Sequence, residues 1–235
     1  MQPGSETILV HDWFQQFPSH SIGSLVFGRD GALYVSGGDG ASWQFADYGQ
    51  EENPAGDPPV PTGGLQTPPT AEGGALRSQD LTTPADPTGL NGTVIRIDPS
   101  SGAALPDNPL SSNSDVNARR IIAYGFRNPF RMAFRPGTSE LWVGDVGWRT
   151  WEEINVIANP LSAPVRNFGW PCYEGNARQP GWDAADLTMC EALYARTGAV
   201  TAAHYAYKQG SAVVAGETCP NTSASIAPTT RSDSS

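Results

Sequence analysis

One short pattern occurs twice in this chain and constrains its fold more than any other feature. Leu25 to Gly37 reads LVFGRDGALYVSG, and Met132 to Asp145 reads MAFRPGTSELWVGD. Both run from an apolar residue through Phe to a Gly-containing turn, then Leu, an aromatic residue, Val and a small residue. β-branched and aromatic residues suit a pleated, half-buried surface, and Asp30-Gly31 between two such runs is a strong hairpin signal. The copies lie about 107 residues apart. That is roughly two units of the forty to fifty residues typical of a propeller blade, with a loop insertion absorbing the excess. Helical periodicity is nearly absent, so repeated hairpins favour an all-β propeller over a sandwich.

The rest of the composition agrees. The 235 residues include 26 glycines and 21 prolines, which suits many short strands joined by sharp turns. This length fits one domain, expected over 1–226, with a disordered polar tail at 227–235. A net charge of −10 argues against nucleic acid as a partner, because phosphate binding needs a basic face. No apolar run is long enough for a membrane span, and no export signal is expected at Met1-Gln2-Pro3-Gly4. Cys172, Cys190 and Cys219 lack the spacing of a zinc site. Cys172 and Cys190 can close a loop if the parent protein is exported, leaving Cys219 without an obvious partner.

Along the chain, Glu6 to Val10 predicts a short strand, followed by an aromatic-anchored loop that ends at His20. From Ala41 to about Leu90 breakers dominate, and a loop this long inside a compact domain is usually functional or mobile. Gly92 to Pro99 alternates and predicts a strand. Arg119 to Ile157 holds an Arg-Asn-Pro turn, a strand pair and the acidic Glu152-Glu153 pair. Asp186 to Arg196 is the expected short helix, and Ala203 to Tyr207 a further strand.

Five segments in order, HSIGSLVFGRDGALYVSGGDG, LNGTVIRIDP, YGFRNPFRMAF, LWVGDVGWRTWEEINVI and NFGWPCYEG, resemble the soluble pyrroloquinoline-quinone (PQQ) dependent sugar dehydrogenases, the glucose/sorbosone dehydrogenases. The resemblance implies a six-bladed β-propeller with quinone and substrate on its top face. It implies oxidation of an aldose at the anomeric carbon to a lactone, calcium-bound PQQ as hydride acceptor and an external electron acceptor. An extracellular or periplasmic location is implied for the parent protein. Only three to four blades can be counted at this length, so a fragment of a larger enzyme is expected.

By the same resemblance His20 is the catalytic base, since imidazole titrates near the working pH. Relatives place an aspartate before this histidine, where this chain has Ser19; Asp39 is the carboxylate that could compensate. Arg127 and Asn128 fall on the pair that holds the quinone, with a guanidinium suited to negative charge on the reduced cofactor. Gly147 and Trp148 fall where two backbone carbonyls bind calcium at the quinone, and hard cations prefer such oxygens. Glu153 and the Phe168 backbone correspond to a second calcium site, with Asp145 a further possible oxygen donor.

Each motif also has a plainer reading. A histidine beside a strand is often structural, Arg-Asn-Pro is a common turn, and Glu152-Glu153 can be a solvated acidic turn. Trp142 and Trp170 are expected to pack between blades, with Trp43 left open. Two rival functions remain at this level. One is a non-catalytic sugar- or protein-binding propeller, and the other is a calcium-dependent lactonase.

Overall fold

The computed structural model describes residues 4–83, 87–208 and 226–227. Its framework is two five-stranded sheets. β1 (Ile22–Phe27) and β2 (Leu33–Gly37) form the predicted hairpin. Gly31 in their turn has φ +78, a conformation that a side chain would strain. Antiparallel β3 (Thr93–Ile97) and β4 (Ile121–Tyr124) extend the meander.

The second sheet repeats this plan with β5 (Pro129–Phe134), β6 (Leu141–Asp145) and β7 (Trp151–Ile157). Short β8 (Arg166–Asn167) lies parallel to β4 as the fifth strand of the first sheet. β9 (Tyr173–Glu174) and β10 (Ala177–Arg178) make a small separate hairpin. β11 (Tyr205–Lys208) and β12 (Ile226–Ala227) complete the second sheet, β11 pairing with β7.

The two copies of the sequence pattern repeat down to register. Leu25 faces Val35 and Phe27 faces Leu33; Met132 faces Val143 and Phe134 faces Leu141. Even the irregularities coincide, between Ile22 and Ser24 in one copy and between Pro129 and Arg131 in the other. Such bulges re-aim a strand locally and fix where pairing ends. The edge strands β1 and β5 lie side by side. Ser36 Oγ donates to the Pro129 carbonyl at 2.7 Å, and a Cβ at Gly23 would fall 2.2 Å from that same oxygen.

Between the sheets a core closes on Tyr34, Val94, Ile122, Phe126, Met132, Leu141, Val143, Ile157 and Phe168. Leu33, Val35, Leu90, Ile95, Ile97 and Ile121 cover the other face of the first sheet. β2 and β3 are therefore buried along their whole length, whereas β6 alternates buried and half-buried positions. A third cluster gathers Trp170, Trp182, Leu187 and Leu193 around the Cys172–Cys190 disulfide. Cys219 lies outside the described residues.

Several expectations need correcting. The described residues hold two sheets of blade size rather than three to four, and the repeat marks consecutive sheets, not sheets two units apart. Connections such as 38–92 take up the residues that a blade-length count assigns to strands. Glu6–Val10 forms no strand; Leu9 and Val10 instead pack on the first sheet's outer cluster. The expected helix begins later, as α2 (Thr188–Tyr194), preceded by a single turn, α1 (Pro180–Asp183). Of the expected tail 227–235, Ala227 is paired in β12 and the rest lies outside the described residues.

The breaker-rich stretch is more ordered than composition suggests. Gly74–Thr82 is a 3₁₀ helix buried through most of its length. Arg77 makes a buried ion pair with Asp57, Nη2 to Oδ2 at 2.8 Å, with side chains 1% and 4% exposed. Gln79 and Asn167 exchange amide hydrogen bonds at 3.0 and 2.7 Å, so the helix is anchored to β8.

Candidate functional site

The loop before β1 and the loop after β2 meet at His20 and Asp39. Nδ1 of His20 lies 2.6 Å from Asp39 Oδ1, and the two side chains are 7% and 1% exposed. His20 has φ 54. That left-handed conformation costs a non-glycine residue about 1–3 kcal/mol and is found where the surroundings over-determine it, often at active sites. Ser19 turns away to donate from Oγ to the Ala41 carbonyl. The carboxylate that orients the imidazole therefore comes from Asp39, answering the question left by Ser19.

Asp39 is itself held on every side. Its Oδ2 accepts the indole N–H of Trp170 at 2.7 Å, Oδ1 also accepts the Ala41 N–H, and its own N–H donates to the Arg127 carbonyl. The Asn91 side chain, from the LNGTVIRIDP segment, donates to the Asp39 carbonyl and exchanges two bonds with the Phe14 backbone. A hydrogen-bonded carboxylate at Nδ1 fixes the tautomer and frees Nε2 of the imidazole as the basic atom.

Arg127 begins the Arg-Asn-Pro turn into β5. Asp145, at the end of β6, receives the Arg127 N–H on Oδ2 and the Asn128 N–H on Oδ1, which accounts for the turn without a ligand. Burial, and then the nearby Glu153, push the Asp145 carboxyl well above the usual carboxylate range, against the two backbone N–H bonds. The Arg127 guanidinium lies 5.4 Å from the Trp170 ring and donates from Nη1 to the carbonyls of Val146 and Gly147. Its Nε is buried without a hydrogen-bond partner. Burial lowers its pKa, opposed by Asp39, Asp145, Glu174 and Glu152.

Gly147 and Trp148 lie in the turn from β6 to β7. A Cβ at Gly147 would sit 1.5 Å from the Trp151 carbonyl oxygen, so only glycine fits. The Trp148 indole donates to the Trp43 carbonyl at 2.7 Å, and the Arg149 guanidinium covers the Trp148 ring at 4.2 Å. Trp43, Gln44, Arg127, Trp148 and Arg149 line an open depression of about 680 Å³. His20 is outside that lining and connects to it through Asp39 and Trp170.

Glu153 and Phe168 occupy separate settings. Glu153 lies in β7, where its carboxylate accepts from the Gly175 N–H and the Asn155 amide. Phe168 is buried in the inter-sheet core against Phe126. The acidic pair is thus part of a strand and not a turn. Among the described residues no group of three or more His, Cys, Asp and Glu side chains gathers as a metal cluster; the oxygens beside Arg127 are backbone carbonyls. Two further residues of NFGWPCYEG join the site without a sequence signal for it: Trp170, expected only to pack, bonds Asp39, and Glu174 holds the turn at Trp148.

The sequence model of the family described as glucose/sorbosone dehydrogenase matches residues 73–216, more than half of the chain. The chain belongs to the glucose/sorbosone dehydrogenase family. It is 37% identical to the aldose sugar dehydrogenase YliI of Escherichia coli over 82 residues, 35% of this chain and 20% of that protein. It is 29% identical to the HIPL1 protein of Arabidopsis thaliana over 164 residues, 68% of this chain and 19% of that protein. The chain thus spans about a fifth of these relatives. Among solved structures, the PQQ-bound aldose sugar dehydrogenase of Streptomyces coelicolor superposes with TM-score 0.42 at 25% identity, covering 69% of this chain and 34% of that one. Members of this sugar dehydrogenase family are oxidoreductases, and the family match takes in Arg127, Gly147, Trp148, Trp170 and Glu174 but starts beyond His20 and Asp39. Among the described residues no helix is long and apolar enough to cross a membrane.

Proposed function

We propose that this chain carries the base and one edge of the cofactor site of a PQQ- and calcium-dependent aldose dehydrogenase built as a six-bladed β-propeller. The observation that carries the reading is the continuous line of contacts from His20 through Asp39 and Trp170 to Arg127. The propeller reading is supported by two consecutive sheets of matching register whose edge strands lie side by side.

The donor set fits the cofactor. The partnerless Nε of Arg127 suits an acidic quinone, and the carbonyls of Gly147 and Trp148 are the kind of oxygen a hard cation takes. When bound, PQQ with calcium supplies the hydride acceptor for the anomeric C–H. Nε2 of His20 takes the proton of the anomeric hydroxyl as the lactone carbonyl forms. Asp39 holds the ring in the reactive tautomer and stabilises the imidazolium that results. Arg127 presents N–H donors from a buried position, where they need no reorganisation as negative charge develops.

The substrate is a small aldose, and electrons leave to an external acceptor. An extracellular or periplasmic setting is supported by the Cys172–Cys190 bond, since disulfides persist in oxidising compartments. The test is to add PQQ and calcium to the chain, record the quinone spectrum, and follow dye reduction with a panel of aldoses. A spectral shift and sugar-dependent reduction that His20→Ala abolishes are expected. Absence of both in the wild-type chain overturns the reading.

A further inference from the structure

Four consecutive backbone amides converge on one carboxylate oxygen beside the site. Glu174 Oε1 accepts the N–H of Trp148 and of Arg149 at 2.8 Å, of Thr150 at 3.0 Å and of Trp151 at 3.2 Å. The residue is 4% exposed, and Gln179 donates to its other oxygen at 3.4 Å. A run of amides pointing to one side makes a concave anion site, and here the protein fills it with its own carboxylate.

The consequence lies on the opposite side of the same peptide planes. In a trans peptide the C=O of one residue and the N–H of the next point in opposite directions. Fixing the N–H of Trp148 and Arg149 on Glu174 therefore turns the carbonyls of Gly147 and Trp148 away from it. The Gly147 carbonyl meets the Arg127 guanidinium at 2.8 Å, which shows which way that side faces. The neighbouring Gly147 N–H is bound by Glu152 at 3.0 Å, and the Val146 carbonyl of that plane also points at Arg127. One carboxylate thus sets the orientation of four successive planes, the first two carrying the Gly147 and Trp148 carbonyls, and a second carboxylate sets the plane before them.

We infer that Glu174 is the positioning residue that aims the Gly147 and Trp148 carbonyls at the cofactor edge, so that a hard cation meets two preset oxygens. The inference rests on the proposed PQQ and calcium reading. Glu174 touches neither cation nor quinone; it acts through the backbone of the turn, from a hairpin that the Cys172–Cys190 bond ties down.

The test compares the intact wild-type chain with Glu174→Gln, which keeps the side-chain shape and loses the charge. PQQ is titrated with and without calcium, followed by quinone absorbance and calorimetry, with thermal unfolding recorded alongside. Hydrogen bonds to a charged group are the stronger class, and their loss is expected to weaken calcium-dependent quinone binding by about tenfold or more, while calcium-free binding is unchanged. A lower unfolding temperature with equal calcium-dependent affinity means a structural cap only and overturns the inference alone. Absence of calcium-dependent binding in the wild type overturns the proposed function and this inference together. Should E174Q not fold, carbonyl ¹³C shifts of the wild-type chain decide. Calcium with PQQ is expected to move the Gly147 and Trp148 resonances, and their staying fixed overturns the inference.

Discussion

His20 and Asp39, 19 positions apart in sequence, share a 2.6 Å contact that sets which imidazole nitrogen is basic. Asp39→Asn replaces a charged acceptor with a neutral amide that can also present its NH₂. In the cofactor-loaded enzyme, sugar-dependent dye reduction is expected to fall by about 10²–10⁴-fold, the usual contribution of a positioned acid or base. Imidazole ¹⁵N spectra are expected to change from one tautomer to a mixture. An unchanged tautomer and rate would remove Asp39 from the mechanism.

The Arg77–Asp57 pair anchors the long connection. Because both side chains are almost fully buried, Arg77→Met leaves an unpaired carboxylate inside the fold. Loss of one partner from such a pair costs about 3–5 kcal/mol, readable as a lower denaturant midpoint at unchanged slope.

Removing the Cys172–Cys190 bond frees a loop with a sequence separation of 18. Chain-entropy reasoning puts the loss at about 3 kcal/mol. The double alanine variant, or the reduced wild type, should unfold earlier in urea, and fluorescence from Trp170 and Trp182 in the same cluster should report it.

Arg96 gives the acid limb of stability. Its hydrogen bonds hold the Asp107 carboxyl below the usual carboxylate range. For Asp30 burial pulls upward, but bonds from Arg96, Ala32 and Tyr34 outweigh it and the net direction is also down. A depressed folded pKa gives stability that is complete above the unfolded value of about 3.9 and lost as pH falls through the folded value. Arg96→Met should flatten that loss in a plot of melting temperature against pH. Asp145 has the opposite sign: its raised folded pKa gives stability that is complete below the unfolded value and declines as pH rises through the folded one. A wild-type curve with no acid limb would contradict the assignment.

Gly147→Ala tests the turn by shape. The added Cβ would have to displace the Trp151 carbonyl from 1.5 Å, moving the peptide planes that Glu174 holds. Weaker PQQ binding in calcium, with the Cys172–Cys190 cluster intact by near-ultraviolet circular dichroism, is the expected result.

What was legible in the sequence was local. The two hairpins declare themselves because strand alternation and turn chemistry are written within a dozen residues, and the repeat even carries its irregularity. Arg127 and Trp148 could be found by motif, and the structure brings them to one depression, with the Gly147 carbonyl on the Arg127 guanidinium beside it. The 3₁₀ helix at Gly74–Thr82 was hidden, since its segment has weak periodicity and its anchors, Asp57, Phe126 and Asn167, are distant. Glu6–Val10 has strand-like residues, but Leu9 and Val10 found a cluster and no pairing edge, while Ile8 is exposed. The Asp39–Trp170 bond joins residues 131 positions apart, and no spacing rule reaches that far. Trp170 does pack, in the disulfide cluster rather than between the sheets, and its indole N–H has a separate task.

The contacts that converge on Asp39 make it a junction between the imidazole end and the guanidinium end of the site. A ligand at His20 and a ligand at Arg127 therefore pull on one shared residue. Linkage is reciprocal: under the proposed function, whatever factor a quinone imposes on sugar affinity, the sugar imposes on quinone affinity. Under that proposal a mutation at Asp39 is expected to uncouple two binding equilibria as well as slow a reaction.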